Sequence, residues 1–418
     1  MGTTLHKFFL FKLEPNGAQA RACACSCGCS RYTYNRGLAW LIEQLKQNPE
    51  FRFSYYDLAK LLTQWKQEED TKWLAKCRSQ VLQQSLKDLE RGYINYKEGR
   101  ANFPKFHKKF KSKDSFRYPQ GFKIDEGKRQ IYLPKIGWVK YHRSRFIAGK
   151  AKSITVSRKA DGWYVSILTE QEVDEPRHPA SGIEVGLDVG VVNTVTLSDG
   201  TAWPPINALR NNLEKLKKWQ KKLKHKTRFS RNWKKLQAKI ARLHKRIADI
   251  RHDHLCKIAS DVCKNHAVVY REDLRIVNMS ASASGTREEP GVHVAQKRGL
   301  NRSILDQGWG MLFRMIEAKQ QELGGEVYAV PPQYTSQTCP ECGCTDAKNR
   351  PRQAVFKCVN CGFEGNADCV AAMNILGRGQ RLRACGELEN TASAQVSRHK
   401  PSSSRNPSKR LTARSATQ

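Results

Sequence analysis

The chain has 418 residues, enough for more than one hydrophobic core. Its 74 Lys and Arg against 39 Asp and Glu leave a formal charge of +35, and the mean hydropathy is −0.66. No stretch nears the roughly 18 apolar residues of a membrane helix and no export signal opens the sequence, so the expectation is a cytoplasmic protein, nucleoid-associated when bound, with no membrane contact. An excess of this size repels itself unless a polyanion supplies counter-charge, which points to nucleic acid. An anionic lipid surface would call for Trp, Phe or Leu opposite the basic residues of a helix.

Thr3 to Leu13 alternates around Phe9, Phe11 and Leu13 and predicts a strand, broken by Pro15-Asn16-Gly17. Helical texture follows over about 19–47 and 55–96, with Leu82, Leu86 and Leu89 at helical spacing. From Ser115 to Thr169 strand texture returns, with a hairpin turn at Ala160-Asp161-Gly162. Glu170 to Gly182 reads as a linker, and a second domain starts at Ile183. There a hairpin precedes two helices, about 206–225 and 232–265. Leu236, Ile240, Leu243, Ile247 and Ile250 form one side of their seam; Leu209, Leu213, Leu216 and Leu223 form the other. After Glu389 the chain has no acid and reads as a disordered tail.

Three carboxylates carry candidate chemistry. Asp188 is centred in an alternating strand between Gly186 and Gly190, whose bare backbone would let an ion or phosphate approach. The setting resembles the first strand of ribonuclease H-like nucleases; an acid satisfied by local hydrogen bonds is the alternative. Glu272 ends the apolar strand begun by Ala267-Val-Val-Tyr270, and a solvated acidic turn is its plain alternative. Asp368 falls in the first turn of a helix whose packing face is Ala372, Ile375 and Leu376, where it could equally be an N-cap acid. Three acids gathered in one site would repel one another and need cations between them. Two Mg²⁺ ions about 4 Å apart fill that need, one activating water and one stabilising the leaving oxygen of a phosphodiester.

Of the 14 cysteines, Cys339-Pro-Glu-Cys342 and Cys358-Val-Asn-Cys361 have the spacing of one closed, structural Zn²⁺ site, with Cys344 as a spare. Cys23, Cys25, Cys27 and Cys29 fall on alternating helix faces and cannot converge on one ion, so they read as small packing residues. Residues 210–251 hold 17 Lys and Arg against Glu214 and Asp249, and Lys221, Lys222, Arg231, Lys234 and Lys235 are candidate phosphate contacts. Residues 97–118 interleave eight basic residues, Lys105, Lys108 and Lys109 among them, with Phe103, Phe106, Phe110, Phe116 and Tyr118. These aromatics are either stacking platforms or anchors to the β-domain.

Taken together, Glu184-Val-Gly-Leu-Asp188-Val-Gly, Tyr270-Arg-Glu272-Asp-Leu and Asn366-Ala-Asp368 with Asn374-Ile resemble the three RuvC nuclease motifs of the TnpB family. These are transposon-encoded RNA-guided endonucleases, relatives of type V CRISPR effectors. Tyr334 to Gly343 and Gly299 to Gly308 resemble that family's zinc segment and the helix before it. Tyr34-Asn35, Ser79 to Gln84, Pro104-Lys-Phe106 and Ser115 to Pro119 resemble its N-terminal half, and the likeness spans about 5–377. Val370 departs from the family's usual Asn, as does the cysteine run from its bulky first helix.

The resemblance implies a β-barrel wedge domain over 1–178 with a helical recognition insert at about 17–98. An RNase H-like (RuvC) nuclease domain would follow over 179–384, with a helical hairpin and a zinc ribbon at about 333–365, and then a basic tail over 385–418. It further implies a guide RNA from the transposon end, a double-stranded DNA target with a short adjacent motif, and Gln80 and Gln84 as readers of that motif. The function expected is RNA-guided, Mg²⁺-dependent DNA cleavage. The alternatives are a catalytically silent RNA-guided regulator of transposition or transcription, or a compact type V effector. A strand-transferring recombinase usually needs a defined synaptic assembly or a covalent Tyr or Ser, and no Tyr or Ser here sits in a setting that singles it out.

Overall fold

The structure, a computed structural model, describes residues 3–109, 111–173 and 176–392; Phe110 and the expected tail from 393 on lie outside them. The start of that tail is ordered, the Val327 amide donating to the Asn390 side chain and the Thr391 amide to the Val327 carbonyl. The chain forms two compact units that do not follow its order. One comprises the described residues up to Pro176 with Ile206–Cys256 and Ser282–Gly308; the other comprises Arg177–Pro205, Lys257–Ala281 and the described residues from Trp309 on.

In the first unit, β1 (Thr3–Glu14) leads into α1 (Gly17–Gln47), α2 (Tyr55–Gln67) and α3 (Ser79–Lys97). The strands β2 (Ser115–Tyr118), β3 (Lys123–Asp125), β4 (Gln130–Leu133), β5 (Gly137–His142), β6 (Lys150–Lys159) and β7 (Gly162–Val173) follow. Asn16 starts α1 with a reciprocal cap: its side chain accepts from the Gln19 amide at 2.9 Å, while the Gln19 side chain accepts from the Asn16 amide. The seven strands make one antiparallel sheet in the order β2-β6-β7-β1-β5-β4-β3. Phe9, Phe11 and Leu13 join Val165, Ile167, Leu38, Leu82, Leu86 and Leu89 in a single core. Cys23, Cys27 and Cys29 are buried in it and Cys25 is exposed, as packing residues on α1 should be.

Two boundaries differ from the sequence reading: the first seam helix, expected from about 206, begins at Leu213, and the expected linker starts later. Glu170–Val173, expected to open a linker, is strand, because β7 pairs with β1 from Trp163↔Leu13 to Val173↔Thr3. A full-length antiparallel partner satisfies these backbone groups whatever the side chains prefer locally.

The remaining elements are β8 (Glu184–Asp188), β9 (Val195–Leu197), β10 (Ala202–Trp203), α4 (Leu213–Lys224), α5 (Arg231–Asn265), β11 (Val268–Glu272), α6 (Ile276–Met279), α7 (Val294–Gln307), α8 (Trp309–Leu323), β12 (Glu326–Val330), β13 (Val355–Lys357), β14 (Glu364–Asn366) and α9 (Ala367–Ala384). The predicted seam of α4 with α5 forms through Leu216, Ile240, Leu243 and Ile247, with Ala208 and Trp219 added. Buried Asp306 braces its base, accepting from the Leu209 and Arg210 amides and from Arg251 at 2.6 Å.

In the second unit a five-stranded sheet runs β10-β9-β8-β11-β12. The β8–β9–β10 meander is antiparallel, whereas β11 and β12 run parallel to β8. Helix α9 lies directly on β8. A Cβ on Gly186 would sit 2.0 Å from the Ala372 carbonyl oxygen and 2.8 Å from the Leu376 nitrogen. The bare backbone at Gly186 therefore admits a helix, not the ion or phosphate the sequence reading assigned to it. Gly190 faces the Asn193 carbonyl in the turn after β8.

Candidate active site and cysteine cluster

Parallel pairing brings the first two acids together. Arg271 pairs with Leu187, so the residues that follow, Glu272 and Asp188, end adjacent strands on the same sheet edge, where strand spacing is about 4.8 Å. Asn366 caps α9, its side chain accepting from the Asp368 and Cys369 amides, and the cap leaves Asp368 in the first turn. The Asp368 carboxylate is therefore not itself the cap. Docking of α9 on β8 delivers it to the same edge.

The electrostatics follow from that convergence. Loss of water, and then the charges of Glu272 and Asp368, push the half-buried Asp188 carboxyl up to about 7 against the opposing pull of the Val189 amide and Arg350. Burial also raises Glu272, opposed by the Thr335 hydroxyl, which donates to its Oε1 at 2.5 Å, and by Arg378. Both opposing groups are fixed from behind. Asn374 of α9 donates to the Thr335 and Thr338 carbonyls at 2.8 and 2.7 Å, and Arg378 donates to the Pro331 and Gln333 carbonyls. Arg350 reaches Asp368 at 3.4 Å and is steadied by the Gln353 carbonyl. Thr335, Arg350 and Arg378 were not singled out in the sequence. Nothing local marks them, since their role comes from loops and turns meeting at the strand ends.

The two cysteine pairs form matching knuckles. The Cys339 amide donates to Cys344 O and that of Gly343 to Cys339 O; the Cys358 amide donates to Phe363 O and that of Gly362 to Cys358 O. Gly343 and Gly362 take left-handed φ of 72° and 77°, which turns each loop back on its sulfurs. Cys339, Cys342, Cys358 and Cys361 have ligand atoms all within 4.8 Å of one another, with Cys339–Cys361 at 3.6 Å and Cys342–Cys358 at 3.5 Å. Four sulfurs about 2.3 Å from a tetrahedral zinc would stand roughly 3.8 Å apart, so the set can hold Zn²⁺. The Cys344 amide also holds the Cys342 thiol down at about 6. Cys344 itself is outside the set. Among the described residues no carboxylate group is drawn together this tightly. Val370 is buried with Cys339, Phe356 and Cys358 beneath the knuckles.

The candidate nucleic-acid contacts are scattered. Lys105, Lys108, Lys109, Lys221, Lys222, Arg231, Lys234 and Lys235 are exposed. Gln80 and Gln84 are half-buried on α3, the Gln80 amide oxygen without a hydrogen-bond partner. Of the aromatics at 97–118, Phe116 and Tyr118 belong to the core and Phe103 packs against it; Phe106 is 46% exposed. Anchoring accounts for the first three.

Comparison with known proteins is consistent with this arrangement. Three family profiles match: "Cas12f1-like, TNB domain" over 309–375, "Probable transposase" over 166–283, and "Helix-turn-helix domain" over 1–50. The last spans β1 and the single helix α1. "Putative RNA-guided DNA endonuclease InsQ" of Escherichia coli (strain K12) is 47% identical over 380 residues, 91% of this chain and 94% of that protein. A Streptomyces pristinaespiralis protein described as an RNA-guided DNA endonuclease in the same terms is 30% identical over 390 residues, 91% and 90% of the two chains. A cryo-EM structure of a Cas12f1–sgRNA–target DNA complex contains a chain 15% identical, covering 86% of this chain and 82% of that one with a TM-score of 0.50. Fold and site thus define a mixed α/β protein with a Cas12f1-like fold, three acids near one another at the strand ends and a four-cysteine cluster. Given a relative so similar over nearly its whole length, the chain belongs to the TnpB family.

Proposed function

We propose that this chain is the RNA-guided DNA endonuclease of a transposable element, with Asp188, Glu272 and Asp368 as ligands of two Mg²⁺ ions. The observation that carries the reading is the meeting of three acids at the ends of β8 and β11, where Asp188 is pushed up to about 7 by burial and by its two neighbours. Carboxylates that raise one another in this way fit divalent cations between them. When bound, the ions would supply an activated water and charge to stabilise the leaving oxygen. The chain's own residues prepare the site. Thr335 orients Glu272 and, with Arg378, opposes the burial that raises it. Arg350 offsets Asp368.

The sheet order of the second unit, an antiparallel meander extended by parallel strands, supports a RuvC-type RNase H-like domain within 179–384. The seven-stranded sheet with α1–α3 supports a wedge barrel with its helical insert over 1–178. Structural Zn²⁺ in the cysteine cluster would set the loop carrying Arg350 and the segment following Thr335. Guide RNA from the transposon end would select the DNA by pairing, with Gln80 and Gln84 beside the adjacent motif and the exposed lysines on phosphates. The test is cleavage of a matched duplex by the protein co-purified with its RNA. Asp188→Ala should abolish Mg²⁺-dependent cutting and leave RNA and DNA binding intact. Cutting retained by that variant refutes the assignment, and a wild-type chain that binds but never cuts would make it a regulator.

A further inference from the structure

The loop joining α4 to α5 carries a side chain that folding does not explain. Residues 227–230 form a turn closed by the Ser230 amide on the Thr227 carbonyl at 3.1 Å, and Ser230 then caps α5 by accepting from the Trp233 amide. Phe229 stands third in that turn at φ 66°, a left-handed conformation that turns normally give to Gly or Asn. A bulky residue there is strained, and strain persists in folded proteins chiefly where it serves a function. Burial does not compensate, because Phe229 is 57% exposed. Its ring is nonetheless held in place, tilted 60° to Trp233 at 5.4 Å, with the Arg228 guanidinium 4.9 Å from its centroid.

Its surroundings identify the partner. Residues on both sides of this turn border a cleft of about 910 Å³ lined by Lys222, His225, Lys226, Lys234, Lys239 and Arg242, and by no acid. A membrane-inserting tip would add further exposed apolar residues, whereas Lys226, Arg228, Arg231, Lys234 and Lys235, which flank the Phe229–Trp233 pair, are exposed cations. A fixed aromatic face in the turn that joins two cation-lined helices matches a platform that stacks one base while the phosphates lie along the charges. That base must be unpaired and unstacked, since inside a duplex both of its faces are covered.

Resting on the proposed function for its polyanionic partner, we infer that Phe229 is a stacking site for an unpaired nucleotide of a strand whose backbone runs in the α4–α5 cleft. The test uses the full-length chain and single-stranded oligonucleotides carrying one 2-aminopurine, as RNA in one arm and DNA in the other, titrated across a salt series. Phe229→Ala should bind about tenfold more weakly and lose the fluorescence quenching of the stacked base. The slope of log affinity against log salt should not change, because no charge is removed. Lys234→Gln with Lys235→Gln should lower that slope and keep the quenching. Phe229→Tyr should behave as wild type and Phe229→Leu as Phe229→Ala, so the outcome does not depend on any one variant folding. The arm with the larger loss names the strand. Wild-type affinity and quenching in Phe229→Ala, or in Phe229→Leu, would overturn the stacking site while leaving nucleic-acid binding standing. A wild-type chain that binds neither strand would overturn both.

Discussion

Replacing Asp188 by Asn should make the metal-free protein more stable at alkaline pH, although it removes a residue proposed as essential. The carboxyl is raised from 3.8 to about 7 in the fold. The native state therefore holds a proton that the unfolded chain releases, and stability must fall as pH rises between those values. At 1.36 kcal/mol per pH unit the cost of ionising the buried acid is under about 2 kcal/mol at pH 5 and about 4 kcal/mol at pH 8, as an upper figure. Asn keeps the shape and carries none of this. Thermal melts in chelator should place Asp188→Asn several degrees above wild type at pH 8, since about 1 kcal/mol moves a domain of 150–250 residues by about 2–4 °C. The gap should shrink at pH 5. Added Mg²⁺ should then raise the wild type, by about 2.7 kcal/mol at a hundredfold excess over Kd, and leave the variant unmoved. A variant no more stable than wild type at pH 8, or one whose advantage is the same at pH 5, would show that the three acids do not burden one another as argued.

Thr335→Val should raise Glu272 further by removing the hydroxyl that donates to it, moving the acid limb of the pH–rate profile for cleavage to higher pH; an unmoved limb would mean that the hydroxyl is incidental. Gly186→Ala should destabilise the second unit by about 3 kcal/mol or more, because the new methyl meets the Ala372 carbonyl oxygen at 2.0 Å. Denaturant melts read this directly, and a near-neutral result would place α9 elsewhere. Metal analysis should find one zinc per chain, lost in Cys358→Ser together with the order of residues 339–361, as read by limited proteolysis; a zinc-free wild type with the same protection would rule out the cluster as a metal site.

Periodicity and spacing alone sufficed for much of this molecule. The α4–α5 seam, the capped break at Pro15-Asn16-Gly17 and the two cysteine knuckles are written in short-range patterns, because helix contact, chain reversal and thiol chelation each require particular residues a few positions apart. The three acids could be nominated from their local settings and from their resemblance to one family. Their convergence could not be read that way, because Asp188, Glu272 and Asp368 are separated by 84 and 96 residues and meet only through parallel β8–β11 pairing and the seating of α9 on Gly186. The same holds for β12, for Glu170–Val173, and for Thr335, Arg350 and Arg378, whose positions depend on partners distant in the chain. Local sequence encodes local free-energy preferences. Desolvation and charge repulsion, which give Asp188 its character, exist only once remote segments have excluded water from the same place.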